Sequence, residues 1–286
     1  TQDTVEYDST TNQYDKDAAY TEVIAAGKEF TGKATLSTGI TATDPNVIAV
    51  KAIGADADVT IEGGTFDGGN GGNNVCVAAA DGATVTIKGG TFTVGGDADG
   101  YGNSVVYSQG GNIVIEGGFF YTNYSYRGYY YVLNQSNGNP GTITVKGGTF
   151  VNYDPSKGDD NLGGNFVADG YKVVSETKAN GDVWYTVVKN TKVATADELA
   201  EAVKAGGNIT LTDDITLATP MTAPTDKEVT IDLNGKTINA TQNFVTVPAG
   251  AKLTIGGGTV VSGRYVFNVN GGEVVVNSGS YTAQET

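Results

Sequence analysis

Apolar and polar residues alternate in an eight-residue motif that occurs four times in the first half of the chain. Each copy has three mostly apolar or threonine positions, one charged position, two glycines, a Thr or Phe, and a final Phe. The copies are Val59–Phe66, Val85–Phe92, Ile113–Phe120 and Ile143–Phe150. Because successive side chains of a strand point to opposite faces, each octet predicts a strand, followed by a sharp glycine corner with positive φ.

The spacing of the octets predicts a repeat architecture. Their third residues, Ile61, Ile87, Ile115 and Val145, stand 26, 28 and 30 residues apart. A period in this range indicates repeats that bury their apolar faces only by stacking, here as turns of a solenoid about 4.8 Å apart. The predicted inward ladders are Val59/Val85/Ile113/Ile143, Ile61/Ile87/Ile115/Val145 and Phe66/Phe92/Phe120/Phe150.

The charged position of the octet alternates in sign. It is occupied by Glu62, Lys88, Glu116 and Lys146. Stacked neighbours would therefore attract each other, each exposed pair contributing about 0.2–1 kcal/mol. We interpret this ladder as a device that fixes the register between turns.

The pattern divides the chain into an N-terminal arm, residues 1–14, and two tandem solenoid units, residues 15–190 and 191–286. A β-hairpin over about residues 165–190 is predicted to close the far end of the first unit. Its turn contains Asn180-Gly181, a dipeptide that favours a type I′ turn.

Each unit is predicted to open with a short helix that covers the apolar end of the solenoid. The first spans Asp15–Ala26 and ends at Gly27. The second begins at Thr195, which forms a capping box with Glu198, and ends at Gly206.

The second unit shows the same periodicity without a closing hairpin. Its markers Ile231, Ile255 and Val276 stand 24 and 21 residues apart. An uncovered solenoid end exposes apolar surface and unpaired strand edges. We therefore expect this unit to support homo-oligomers or end-to-end contact.

Composition narrows the function classes. The net charge is −15, and the two arginines are Arg127 and Arg264, so we expect no nucleic-acid partner. The chain has no histidine, which excludes Ser-His-Asp and Cys-His catalysis and histidine-ligated metals. No segment has the apolar length of a membrane span. The single cysteine, Cys76, lies in an apolar strand and is predicted to be buried and inert.

The octets, the closure from Val167–Val174 to Trp184–Val188, and the ADELAEAV to NITLTDDITL segment after Thr195 resemble right-handed parallel β-helix proteins of the pectate-lyase-like superfold. More narrowly, they resemble β-helical segments of gut-bacterial surface proteins and of phage virion proteins. The resemblance covers nearly the whole chain from about residue 15. It implies an all-β, right-handed parallel β-helix and leaves function open, because the superfold carries lyases, hydrolases, adhesins and phage fibres.

The sequence offers only weak candidates for the catalytic residues of a lyase or a glycosidase. Pectate lyases use carboxylate-bound Ca²⁺, a basic residue and a positive groove, which the alternating charges do not provide. A glycosidase needs two converging carboxylates. Glu62 and Glu116 would lie two turns apart, about 9.6 Å, but Lys88 between them favours both ionised forms, whereas a general acid must hold a proton.

Two acidic loops could suggest metal binding. Asp97 and Asp99 lie in one of them, and Asp159 and Asp160 in the other. A helix-loop-helix Ca²⁺ site would carry Glu at the twelfth position from Asp97, where this chain has Ser108. We expect solvated turns, no metal and no cofactor.

Tyrosines are concentrated between the third octet and the strand that follows it. Tyr121, Tyr124 and Tyr126 have no place in the inward ladders and accompany Arg127. Tyrosine with arginine is the composition of recognition surfaces, so these four residues are the candidate binding site for a glycan or protein. The alternative is a loop folded back on the solenoid wall.

Together these features predict a non-catalytic structural or adhesive protein. We expect it to be extracellular, displayed on a phage virion (head or tail fibre, or capsid decoration) or on a bacterial surface. The alternative is a polysaccharide-degrading lyase or glycoside hydrolase on the same fold, with carboxylates on its loops.

Overall fold

The computed structural model describes residues 7–8, 13–14, 24–25, 28–41, 48–70, 74–96, 103–123, 131–158 and 164–284. Over these residues the chain is all-β with one helix, and its parallel strands stack into a β-solenoid, as the octet spacing predicts. Two compact units are distinguished, Thr1–Val188 and Lys189–Thr286. They are described separately below.

The first unit contains strands that are mostly short. They are β1 (Tyr7–Asp8), β2 (Gln13–Tyr14), β3 (Ile24–Ala25), β4 (Lys28–Phe30), β5 (Lys33–Leu36), β6 (Ile40–Thr41), β7 (Ile48–Ile53), β8 (Asp58–Ile61), β9 (Thr65–Asp67), β10 (Val75–Ala80), β11 (Thr84–Ile87), β12 (Thr91–Val94), β13 (Ser104–Gln109), β14 (Asn112–Ile115), β15 (Phe119–Thr122), β16 (Leu133–Gln135), β17 (Thr142–Val145), β18 (Thr149–Val151), β19 (Tyr171–Thr177) and β20 (Val183–Val193), whose last residues belong to the second unit.

Three parallel sheets form the walls of this unit. The first has the order β16-β13-β10-β7-β4 and the second the order β17-β14-β11-β8-β5. The third runs β3-β6-β9-β12-β15-β18, where β20 joins it antiparallel. Each octet thus supplies one strand to the second sheet, the glycine corner, and one strand to the third. Strands β1 and β2 pair antiparallel within the predicted N-terminal arm, residues 1–14.

The three predicted inward ladders are confirmed by the strand registers. Their members are fully buried, apart from Ile143 at 7% exposure. The rings of Phe66, Phe92, Phe120 and Phe150 stack nearly parallel, with successive centroids 5.0, 4.8 and 4.9 Å apart. One preceding turn extends the ladders with Ala34, Leu36 and Ile40.

The corner requires both glycines for different reasons. The second glycine has positive φ in all four octets: 110° at Gly64, 113° at Gly90, 110° at Gly118 and 96° at Gly148. In the three later octets the first glycine, Gly89, Gly117 or Gly147, lies tightly against the preceding turn; a Cβ at Gly89 would stand 2.7 Å from the Glu62 carbonyl oxygen. Any side chain here would therefore push successive turns apart.

The charged positions of the octets follow one another in register, and one pair of the predicted charge ladder is seen in a weak contact. Lys88 Nζ lies 3.8 Å from Glu62 Oε1, and the two side chains are 50% and 54% exposed. An exposed pair of this length contributes about 0–1 kcal/mol. The ladder favours the observed register without holding the turns together.

The hairpin β19–β20 is present, but its predicted turn type is wrong. The Lys178 carbonyl accepts from Gly181 N–H, and Lys178 N–H donates to the Asp182 carbonyl. A type I′ turn needs positive φ at both central residues, and here Gly181 has φ 91° whereas Asn180 is not in that region. The loop is instead a three-residue connection with glycine in the left-handed position.

The first predicted helix, Asp15–Ala26, is wrong at its last described residues. Ile24 and Ala25 form β3, which pairs parallel with β6. The rest of Asp15–Ala26 lies outside the described residues. Pairing within the third sheet has overridden the local helical preference of this alanine-containing stretch.

The second unit begins with the last residues of β20 and a helix, α1 (Ala196–Ala205). Its capping box is confirmed: Thr195 accepts from Glu198 N–H, and the Glu198 carboxylate accepts from Ala194 and Thr195 N–H. These two N–H donors lower the pKa of Glu198. Leu199 and Val203 are buried against the first turn, as a cap requires.

The strands of this unit are β21 (Gly207–Leu211), β22 (Ile215–Leu217), β23 (Met221–Thr222), β24 (Glu228–Asp232), β25 (Thr237–Ala240), β26 (Val245–Pro248), β27 (Lys252–Gly256), β28 (Thr259–Ser262), β29 (Phe267–Asn270), β30 (Glu273–Val276) and β31 (Ser280–Ala283). They form parallel sheets of order β20-β21-β24-β27-β30, β22-β25-β28-β31 and β23-β26-β29. The predicted stack of Ile231, Ile255 and Val276 is confirmed by the register.

Candidate functional site: an aromatic groove in the first unit

The third sheet of the first unit carries aromatic side chains on its outer face. In β15, Phe120 points into the core, so its neighbours Phe119 and Tyr121 point outward. In β20, Trp184 pairs with Val151 of β18. The antiparallel hairpin strand therefore brings Trp184, the only tryptophan of the chain, to the sheet face that carries Phe119 and Tyr121.

These side chains border a shallow, open groove of about 570 Å³. The Phe119 and Trp184 ring centroids are 4.9 Å apart in an edge-to-face arrangement, and those of Phe119 and Tyr121 are 5.8 Å apart. Tyr121 is 37% exposed. The groove is lined by Phe119, Tyr121, Val151, Lys178, Ala179, Asn180, Asp182 and Trp184.

The hairpin turn supplies the polar rim of the groove. Asn180 Nδ2 donates to Asp182 Oδ2 over 2.6 Å, and Asn152 Nδ2 donates to Asp182 Oδ1 over 2.9 Å. Asn152 is itself fixed to the hairpin, because its Oδ1 accepts from Val183 N–H. These bonds hold the Asp182 carboxylate in one orientation at the edge of the aromatic surface.

Lys178 lies across the tryptophan. Its Nζ stands 4.4 Å from the Trp184 ring centroid and 2.6 Å from Glu176 Oε2. The lysine side chain is 30% exposed and that of Glu176 is 70% exposed. The ammonium is thus held by a ring face and a carboxylate on the same hairpin.

Of the four residues predicted as a binding site, Tyr121 is placed in this groove. Tyr124, Tyr126 and Arg127 lie outside the described residues. The sequence pattern missed Phe119, Trp184 and Asp182. The single tryptophan of the chain, next to an Asn-Gly turn, was the available signal, but the pattern assigned it only to closure of the solenoid.

The candidates for glycosidase chemistry are Glu62 and Glu116, and those for metal binding are the two acidic loops. Glu62 and Glu116 belong to turns separated by the one that carries Lys88, whose Nζ approaches Glu62. Asp97 and Asp99, the weak metal candidates, lie outside the described residues, as do Asp159 and Asp160. Within the described part of the chain, no three His, Cys, Asp or Glu residues are grouped as metal ligands.

Cys76 lies in β10 and is fully buried, as predicted. Burial raises the pKa of its thiol far above the ordinary value. Because the thiolate is the reactive form, we expect Cys76 in the native protein to react with iodoacetamide about a thousandfold or more slowly than in concentrated urea. Mass spectrometry of timed samples measures this ratio, and comparable rates in both solvents would contradict it.

Two further findings concern surfaces. The described residues include no helix with the length and apolarity needed to cross a bilayer.

In the last strands of the second unit, Val269 and Val276 are each 47% exposed. Association of chains through this unit stays a prediction.

The chain was compared with protein families, curated proteins and solved structures. No protein-family model, curated protein or solved structure matched this chain.

Proposed function

We propose that this protein is a non-catalytic adhesive β-solenoid that binds glycans through the groove of Phe119, Tyr121 and Trp184. The single observation that carries the proposal is the joining of an aromatic surface to a fixed polar rim. Aromatic rings pack against the apolar faces of sugar rings, while carboxylate and amide groups accept and donate hydrogen bonds to their hydroxyls. Display on a virion or bacterial surface is part of this proposal.

The hydrogen bonds of Asp182, the carboxylate of the groove, support binding without turnover. Both oxygens of Asp182 accept from side-chain amides of Asn152 and Asn180. A glycosidase acid and base must be poised to exchange protons with substrate or water, and two such groups must face each other. Asp182 is instead arranged as a fixed hydrogen-bond acceptor.

The natural reporter for this function is Trp184, the only tryptophan. Titration of a glycan library is expected to change its fluorescence for the glycans that bind, and calorimetry gives their affinities. Tyr121→Ala should weaken binding about tenfold, because it removes one ring face from the groove. Reducing-end assays on the same samples are expected to show no release.

The matched control is Tyr265→Ala. Tyr265 is 51% exposed and lies in the second unit beside Arg264, so the same ring is removed away from the groove. It should leave glycan affinity unchanged. Equal losses in both variants, or a library without any binder, would overturn the groove assignment, and release of reducing ends would favour the polysaccharide-degrading alternative.

A further inference from the structure

The Asp182 carboxylate presents a preorganised pair of acceptors to the groove. Each of its oxygens accepts one amide bond, from Asn152 to Oδ1 and from Asn180 to Oδ2. A carboxylate oxygen has two lone-pair sites, so each oxygen retains the capacity to accept another bond. Two neighbouring sugar hydroxyls are suitable donors for such a pair, and no charge on the ligand is needed.

The groove's cation is already engaged. Among the described residues that line the groove, Lys178 is the one positive charge. Its Nζ is 2.6 Å from Glu176 Oε2 and 4.4 Å from the centre of the Trp184 ring. A salt bridge from Lys178 to a ligand would compete with the Glu176 contact, so the lysine contributes mainly its position over the ring.

Resting on the proposed function, we propose that the groove selects neutral glycans, with Asp182 as the polar residue that determines specificity. Two vicinal hydroxyls of a neutral sugar donate hydrogen bonds to the two carboxylate oxygens of Asp182. A uronic acid placed there would bring a carboxylate near Asp182 and Glu176, with the chain's net charge of −15 adding to the repulsion. The fixed amides of Asn152 and Asn180 keep Asp182 ready for the neutral ligand without reorganisation.

The test compares polymers that differ only in oxidation at one sugar carbon. Mannose and mannuronate oligomers, and galactose and galacturonate oligomers, each pair matched in linkage, anomeric configuration and length, are titrated against the unmodified chain by Trp184 fluorescence and calorimetry. We expect the neutral member of a binding pair to bind at least about tenfold more tightly, with affinity nearly independent of salt. Asp182→Asn should weaken it about tenfold, whereas Tyr265→Ala, in the second unit and away from the groove, should retain it.

The outcomes separate this inference from the proposed function. Tighter binding of the uronate, with salt-dependent affinity that Lys178→Met abolishes, would overturn the choice of neutral glycans and leave glycan binding standing. Failure of every neutral and acidic oligomer to bind would overturn both. Because the paired ligands are compared on the unmodified chain, a folding defect in Asp182→Asn would not obscure the result.

Discussion

Phe92→Ala is expected to lower the free energy of unfolding of the first unit by about 3–5 kcal/mol, the range for a buried Phe truncated to Ala. Phe92 is fully buried, and its ring lies between those of Phe66 and Phe120 at centroid distances of 5.0 and 4.8 Å. Truncation removes two stacking contacts and leaves a cavity. The corner beside the ring has no side chain that could fill the space, because Gly90 and Gly118 border Phe92.

Urea denaturation followed by Trp184 fluorescence measures this loss, because Trp184 belongs to the same unit. Val174→Ala is the control: Val174 is 40% exposed, so the loss of its two methyl groups should change stability by no more than about 0.5 kcal/mol. A loss below about 1 kcal/mol for Phe92→Ala would show that the solenoid closes around the cavity. It would also contradict the view that the phenylalanine stack holds the turns together.

The ladders could be predicted because the octet determines its own environment. A strand alternates faces, a glycine pair allows one corner geometry, and the repeated Phe must then lie above its counterpart in the previous turn. The first two steps use residues close in sequence, and the third uses the regular spacing of the octets. The register of Phe66, Phe92 and Phe120 followed from their spacing alone.

The groove could not be predicted in the same way, because it depends on the pairing of β20 with β18. Trp184 meets Phe119 only after the hairpin has turned back antiparallel on the last octet. No periodicity links these segments. Tyr121 was identified because it stood outside the inward ladders, whereas Phe119 appeared only as a replacement for the usual Thr of the octet.

Buried asparagines were also missed, because asparagine in a glycine-rich stretch is typical of a turn. Asn74 and Asn103 are instead fully buried at the start of β10 and β13. Asn103 Oδ1 accepts from Asn74 N–H over 2.8 Å, and Asn103 Nδ2 donates to the Gly95 carbonyl over 2.7 Å. Asn74 Nδ2 donates to the Gly68 carbonyl in the turn before. A repeated side-chain bond thus fixes the path of the chain between the third and first sheets.

The Asn103→Asp variant is expected to lose about 4 kcal/mol at pH 7, and less as the pH falls. Its ionised carboxylate would place an acceptor against the Gly95 carbonyl, whereas the protonated acid can donate to that carbonyl as the amide does. Burial therefore raises the variant carboxyl's folded-state pKa above its unfolded value of about 3.9. The penalty is then smallest below about pH 4 and grows as pH rises toward the folded pKa, by about 1.4 kcal/mol per unit.

Urea denaturation of the variant and of the unmodified chain, compared at each pH from 4 to about 7, measures the stability penalty of the substitution. The penalty reaches about 4 kcal/mol because pH 7 lies roughly three pH units above the unfolded pKa. The matched control is Asn112→Asp. Asn112 is exposed and accepts from Thr142 Oγ1 at the surface, so its variant should stay within about 0.5 kcal/mol at every pH. A penalty for Asn103→Asp that does not change with pH would mean that the acid finds water or a cation at this position. The hydrogen bonds of Asn74 and Asn103 would then belong to a hydrated part of the loop rather than to the buried core.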